Sequence, residues 1–135
     1  MKKCWYVVLL CMMVIGLCAC GGSIKNVKTR EVVSEVYSQE DISSAIEVIK
    51  SEFKSSDWSG CTLTEIYYAG DDTSKDYKDW ADRNDADEVI VLLSSFDVDS
   101  SGGDGSLNPN STYDGWNWIL VRNAGGKWKH VDHGY

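Results

Sequence analysis

Apolar positions recur along this chain with two different periods. Ile42, Ala45, Ile46, Ile49 and Phe53 follow one another at three- and four-residue steps, the face of a single helix. Ser38-Gln39-Glu40-Asp41 ahead of them supplies an N-cap with an acid at the third helical position, a capping-box variant. Glu40 and Asp41 near the start and Lys50 and Lys54 near the end match the helix dipole, so a helix is predicted over 40–55. Its polar face is mixed rather than basic, so the apolar stripe is expected to meet a core and not a bilayer. After the turn Asp57-Trp58-Ser59-Gly60, the β-branched and aromatic run Cys61–Tyr68 predicts a strand that ends at Gly70-Asp71-Asp72. Tyr77, Trp80, Ala81 and Asn84 share one helical stripe, which predicts a short helix over 74–84.

Glu88–Phe96 is apolar on both alternating sets, the mark of a central strand covered on its two faces. Asp97–Thr112 is a long connector rich in Gly, Ser, Asn and Asp and holds Pro109, the one proline. Trp116, Trp118, Leu120 and Arg122 then alternate up to a turn at Ala124-Gly125-Gly126, and Lys127–Tyr135 returns, which predicts a hairpin. A weaker alternation over Glu31–Tyr37 predicts an early edge strand. Together these elements predict an α+β fold. A curved antiparallel sheet of four to five strands packs on one long and one short helix.

The N-terminal stretch obeys neither period. Lys2 and Lys3 precede an apolar run from Trp5 to Ala19, shorter than the roughly 20 residues that span a bilayer as a helix. Leu17-Cys18-Ala19-Cys20 resembles the bacterial lipoprotein signal, in which the cysteine after the cut is lipidated. That resemblance implies a signal peptide over 1–19 and lipidation of Cys20. It also implies a location on the outer face of the bacterial cell membrane. Gly21-Gly22-Ser23 opens a small, polar stretch, read as a flexible tether over 20–30, with a single domain over 31–135.

The cut changes the composition. Lys2 and Lys3 leave a set of 13 basic residues while all 21 acidic ones stay, which argues against nucleic acid and against electrostatic adhesion to anionic lipid. Of the five cysteines, only Cys61 remains as a thiol, so no internal disulfide is expected. It opens a strand, and the expected role is a buried small hydrophobe. His130 and His133 have no partner cysteine, and neither a zinc site nor a cofactor is expected.

The ending Trp116-x-Trp118-Ile-Leu-Val-Arg122-Asn-x-Gly-Gly-Lys-Trp128-Lys-x-Val-Asp-x-Gly134-Tyr135 resembles the last two strands of small Gram-positive, clostridial-type lipoproteins of unknown function. Ala86–Phe96 and Asp97–Asn110 resemble the same group, so the likeness covers roughly residues 30–135. Such domains are similar to the nuclear-transport-factor-two-like and cystatin-like superfamily, a cone of antiparallel strands closed by helices. The resemblance implies that fold and no single function, since enzymes, adaptors and ligand-binding domains share it. Members usually place about three helices before the sheet, whereas two are found here, which points to a shallow pocket or none.

Three constellations carry candidate chemistry. Asp97-x-Asp99-x-Ser101-Gly102 begins like a calcium loop, but Asn108 stands where the bidentate Glu belongs and no helices flank it, so turn formation is the expected role. Glu65 and Tyr67 on one strand, and His130 and Asp132 on another, each share a face by parity and form a candidate proton-transfer pocket. Trp116, Trp118 and Trp128 form a candidate binding surface for a cell-wall glycan or an envelope protein. The expected function is a lipid-anchored extracytoplasmic binding or scaffold domain, open to a small-molecule ligand. A pocket enzyme, isomerase- or hydrolase-like, is the alternative.

Overall fold

The computed structural model describes residues 21–135, so the signal cut and Cys20 lie outside the described residues. The elements are α1 (Gln39–Phe53), a 3-10 turn (Ser56–Trp58), β1 (Cys61–Tyr68), α2 (Asp71–Asp76), α3 (Lys78–Arg83), β2 (Glu88–Val98), β3 (Thr112–Arg122) and β4 (Lys129–Gly134). The four strands form an antiparallel open sheet in the order β1-β2-β3-β4, each beside its neighbour in sequence. No helix among the described residues is long and apolar enough to cross a membrane.

The capping box of α1 forms as its sequence predicts. Ser38 Oγ accepts from the Asp41 amide at 3.1 Å, and the Asp41 carboxylate accepts from the Ser38 amide at 3.3 Å. Ile42, Ala45, Ile46, Ile49 and Phe53 are all buried. They meet Leu63, Ile66, Ile90, Leu92, Phe96, Trp118 and Leu120 from one face of the sheet, and this is the main core. On the opposite face Val89, Ile119 and Val121 pack with Ala81 of α3, flanked by Tyr77 and Trp80. The doubly apolar β2 is therefore covered on both sides, as its composition requires.

Three bulges interrupt the alternation. Thr64 is the extra residue where β1 passes from Leu63 to Glu65, Asp114-Gly115 lie opposite Ser95, and Val131 is extra in β4. Gly115 has φ +68°, which suits glycine at a bulge. Each insertion puts residues three apart on one face: Leu63 with Ile66, Tyr113 with Trp116, and His130 with His133.

Three expectations need correction. Residues 31–37 form no strand. Ser34 Oγ instead accepts from the Val36 and Tyr37 amides and turns the chain there, and Tyr37 is buried with its hydroxyl donating to the Val89 carbonyl at 2.6 Å. The helix expected over 74–84 starts at Asp71 and is split at Tyr77 into α2 and α3. The stretch read as a tether is pinned along the edge of β1 through parallel bridges at Ser23 and Lys28, and Ile24 and Val27 pack on the main core.

Candidate functional site

The connector between β2 and β3 is ordered by its own hydrogen bonds. Asp99 N donates to Gly60 O and Asn110 N to Asp99 O, both at 2.9 Å, and Leu107 folds back onto the main core. Loops of this length without secondary structure are uncommon in small domains and are often functional. This one forms a wall of a cleft of about 300 Å³. Glu52 of α1 and Asp57 and Trp58 of the 3-10 turn form a second wall, Asp104 lies on the loop, and Trp116 and His133 rise from the sheet.

Aromatic rings line it. His133 sits 5.2 Å from the Trp58 centroid and lies nearly parallel to Trp116 at 5.9 Å. Trp116 meets Tyr135 edge-on at 5.2 Å, and Tyr135 stacks on Tyr113. Tyr135 is 77% exposed, so this ribbon reaches solvent. The Trp116 indole N–H is buried and meets no acceptor among the described residues. An unmade buried hydrogen bond costs about 1–3 kcal/mol.

The bulge at Val131 explains why His130 and His133 come together. His133 Nδ1 and His130 Nε2 are 3.3 Å apart, and the His130 ring lies against Trp118. Burial, and then the neighbouring His133, hold the His130 pKa below its ordinary value, with Glu52 and Asp132 opposing. His130 therefore stays uncharged more readily than a free imidazole does.

Of the three tryptophans expected as a binding surface, Trp116 alone borders the cleft. Trp118 is fully buried, and its indole N–H donates to Ser94 Oγ at 2.8 Å. Trp128 is buried against Tyr37, with its N–H donating to the Asp41 carbonyl at 3.1 Å. Both extend the core rather than a surface.

The four residues of the expected proton-transfer pocket do not converge. Glu65 and Tyr67 do share a face, but the Thr64 bulge turns it away from α1. There Arg30 donates to Glu65 Oε1 at 2.5 Å and lies 3.9 Å over the Tyr67 ring. His130 and Asp132 oppose Leu120 and Ile119, on different faces of the sheet, because Val131 lies between them as an extra residue.

The calcium-like loop also divides. Asp97 accepts from Thr112 Oγ1 at 2.6 Å across the β2–β3 pair, while Asp99 accepts from the amide and hydroxyl of Ser101. These are turn-forming contacts, and among the described residues no three His, Cys, Asp or Glu side chains gather to hold a metal. Cys61 is buried beside Gly103, and burial pushes its thiol up to about 11. It therefore stays protonated at neutral pH.

A second recess of about 440 Å³ lies at the other end of α1, lined in part by Val36, Tyr37, Tyr68, Asp71, Lys75 and Glu88. Several of its polar groups are already engaged. Asp71 accepts from the Ser34 and Tyr68 hydroxyls and from the Glu35 amide. In the first cleft Asp104 is likewise engaged, accepting from the Ser106 amide and hydroxyl, while the Trp116 N–H is left without an acceptor among the described residues.

Pattern reading missed Trp58, Glu52, Asp57, Asp104 and His133 as cleft residues. Trp58 lies inside a turn signature, and strict parity groups His130 with Asp132, whereas the extra Val131 groups it with His133. A tryptophan inside a turn is a signal that could have found the first. No protein-family model, curated protein or solved structure matches the chain.

Proposed function

We propose that this chain is a lipid-anchored, extracytoplasmic binding domain on the outer face of the bacterial cell membrane. It takes a hydroxyl-rich ligand, a cell-wall glycan, in the cleft between Trp58, Trp116 and His133. The observation that carries this reading is the pairing of an aromatic wall with carboxylates at Glu52, Asp57 and Asp104. Sugar C–H faces stack on aromatic rings, and sugar hydroxyls donate to carboxylates. The Trp116 N–H, buried and without an acceptor among the described residues, adds an unused donor to this wall.

A binding role agrees with the packing under α1. Ala45, Ile49 and Phe53 meet Leu63, Ile66 and Leu120 with no exposure, so the space where cone-type enzymes hold substrate is filled by side chains. A single long helix against a four-strand antiparallel meander, with three bulges that bend it, supports the cone-like, cystatin-like reading of the fold.

The test is titration of the purified lipoprotein in detergent with soluble peptidoglycan fragments, followed by tryptophan fluorescence. Saturable binding is expected, with Trp116→Ala and Tyr135→Ala each weakening it at least tenfold while the far-ultraviolet circular dichroism is retained. A flat titration with the native protein overturns the glycan assignment.

A further inference from the structure

The first described residues are wedged under the end of α1. A Cβ on Gly21 would lie 1.8 Å from the Lys54 carbonyl oxygen. One on Gly22 would lie 2.2 Å from the Phe53 carbonyl oxygen and 2.7 Å from Phe53 Cδ1. Only glycine passes there without displacing the last turn of the helix. The chain is then fastened: Ser23 N donates to Cys61 O and Leu63 N to Ser23 O, both at 2.9 Å. Lys28 N donates to Thr64 O at 2.9 Å and Ile66 N to Lys28 O at 3.0 Å, which repeats the pattern. The backbone is thus held at Ser23 and again at Lys28.

Covalent geometry leaves one peptide unit, about 3.8 Å between Cα atoms, between Gly21 and the preceding Cys20. The described chain therefore enters the domain beside Lys54 and Ser55. We propose that the lipidated Cys20 seats the domain directly on the bilayer, with the C-terminal end of α1 and the Ser56–Trp58 turn as its lipid-facing end.

The inference rests on the lipid anchoring proposed above. The length of chain ahead of the domain and the point where it enters carry it. Charge is consistent with this: exposed Lys54 and Asp57 bracket the turn that follows α1, a mixed end that acyl chains hold and charge alone does not. Because Asp57 and Trp58 also border the aromatic cleft, its ligands are those within reach of the headgroups.

The experiment uses the lipidated protein in phosphatidylcholine vesicles that carry an acceptor dye on a small share of headgroups. A donor dye is placed on Ser56→Cys or, at the opposite end, on Asp82→Cys. Both positions are exposed, and the buried Cys61 thiol stays unlabelled. The 15 residues of α1 separate the two ends by about 22 Å. Energy transfer several-fold stronger from position 56 than from position 82 is expected. A Gly-Ser insertion of about ten residues between Cys20 and Gly21 should bring the two signals close to parity. Equal transfer from the acylated native protein, or a contrast that survives the insertion, overturns direct seating and leaves the anchor intact. Absence of acyl mass on Cys20 overturns both.

Discussion

Arg122 Nη1 donates to Asp41 Oδ1 at 3.0 Å, which ties the capping box of α1 to the end of β3 across 81 positions of sequence. The same guanidinium donates through Nε to Glu88 Oε2 at 2.5 Å and lies 4.2 Å over the Trp128 ring. Its side chain is 11% exposed. One residue thus links helix, central strand and hairpin, and its planar fork makes contacts that an ammonium cannot reproduce.

Replacing Arg122 by Met keeps the stem's packing and removes both ion pairs. Asp41 and Glu88 are then left as adjacent, part-buried carboxylates. A loss of about 1–3 kcal/mol is expected from urea unfolding, below the range for a fully buried pair because both carboxylates are one-third exposed. Arg122→Lys should fall between the two. A Met variant as stable as the native protein would show that the link is ornamental.

The pair also sets an acid limb. The Arg122 hydrogen bond, aided by Ser38, holds the Asp41 carboxyl below its ordinary range. A depressed folded-state pKa contributes stability that is complete above the unfolded value and is lost as pH falls through the folded one. Unfolding free energy should therefore drop below about pH 4. The drop should be shallower in Arg122→Met, and curves of equal slope in the two proteins would refute the assignment.

Where periodicity sufficed, the structure agrees with it. The stripe Ile42–Phe53 and its Ser38 cap are local features, and β1 matches the predicted Cys61–Tyr68 limits. The doubly apolar β2 is central in the sheet. Bulges are the reason the candidate pocket was misread. Each inserts one residue and reverses every later side chain, and alternation contains no term for it. Gly115 was the one visible hint, because a glycine inside a strand often marks a bulge. The wedge at Gly21-Gly22 was equally hidden, since paired glycines read the same whether they supply freedom or close approach.

Ser94 is a polar residue inside the main core face, 1% exposed, and its hydroxyl accepts from the Trp118 indole. Ser94→Ala leaves that N–H without a partner in a site closed to water. A cost of about 1–3 kcal/mol is expected in chemical denaturation. Trp118→Phe in the Ser94→Ala background should cost less than the two single changes summed, because the bond is lost once. Strict additivity would mean that the hydrogen bond carries no weight.

Gly22→Ala tests the wedge without any membrane. The added methyl meets the Phe53 carbonyl and ring, so α1's last turn must shift or residues 21–23 must lift from β1. A cost of about 1–3 kcal/mol follows from overpacking. Amide exchange should speed up at Leu63, whose N–H donates to Ser23. Unchanged exchange there, with unchanged stability, would place the glycines in free chain.

His130 supplies the last test, beside His133 of the proposed binding site. Burial, and then His133, lower its pKa, while Glu52 and Asp132 oppose. The unfolded chain then binds the proton more readily than the folded one, so stability rises with pH through the window below the ordinary histidine value of about 6.5. Falling pH forces a charge onto a ring packed against Trp118 and 3.3 Å from a His133 nitrogen. The urea midpoint should therefore decline from pH 7 to pH 5, and His130→Gln should flatten that decline. A midpoint in the native protein that holds constant over the range would mean that the imidazolium is accommodated without strain, and that His133 does not sense it.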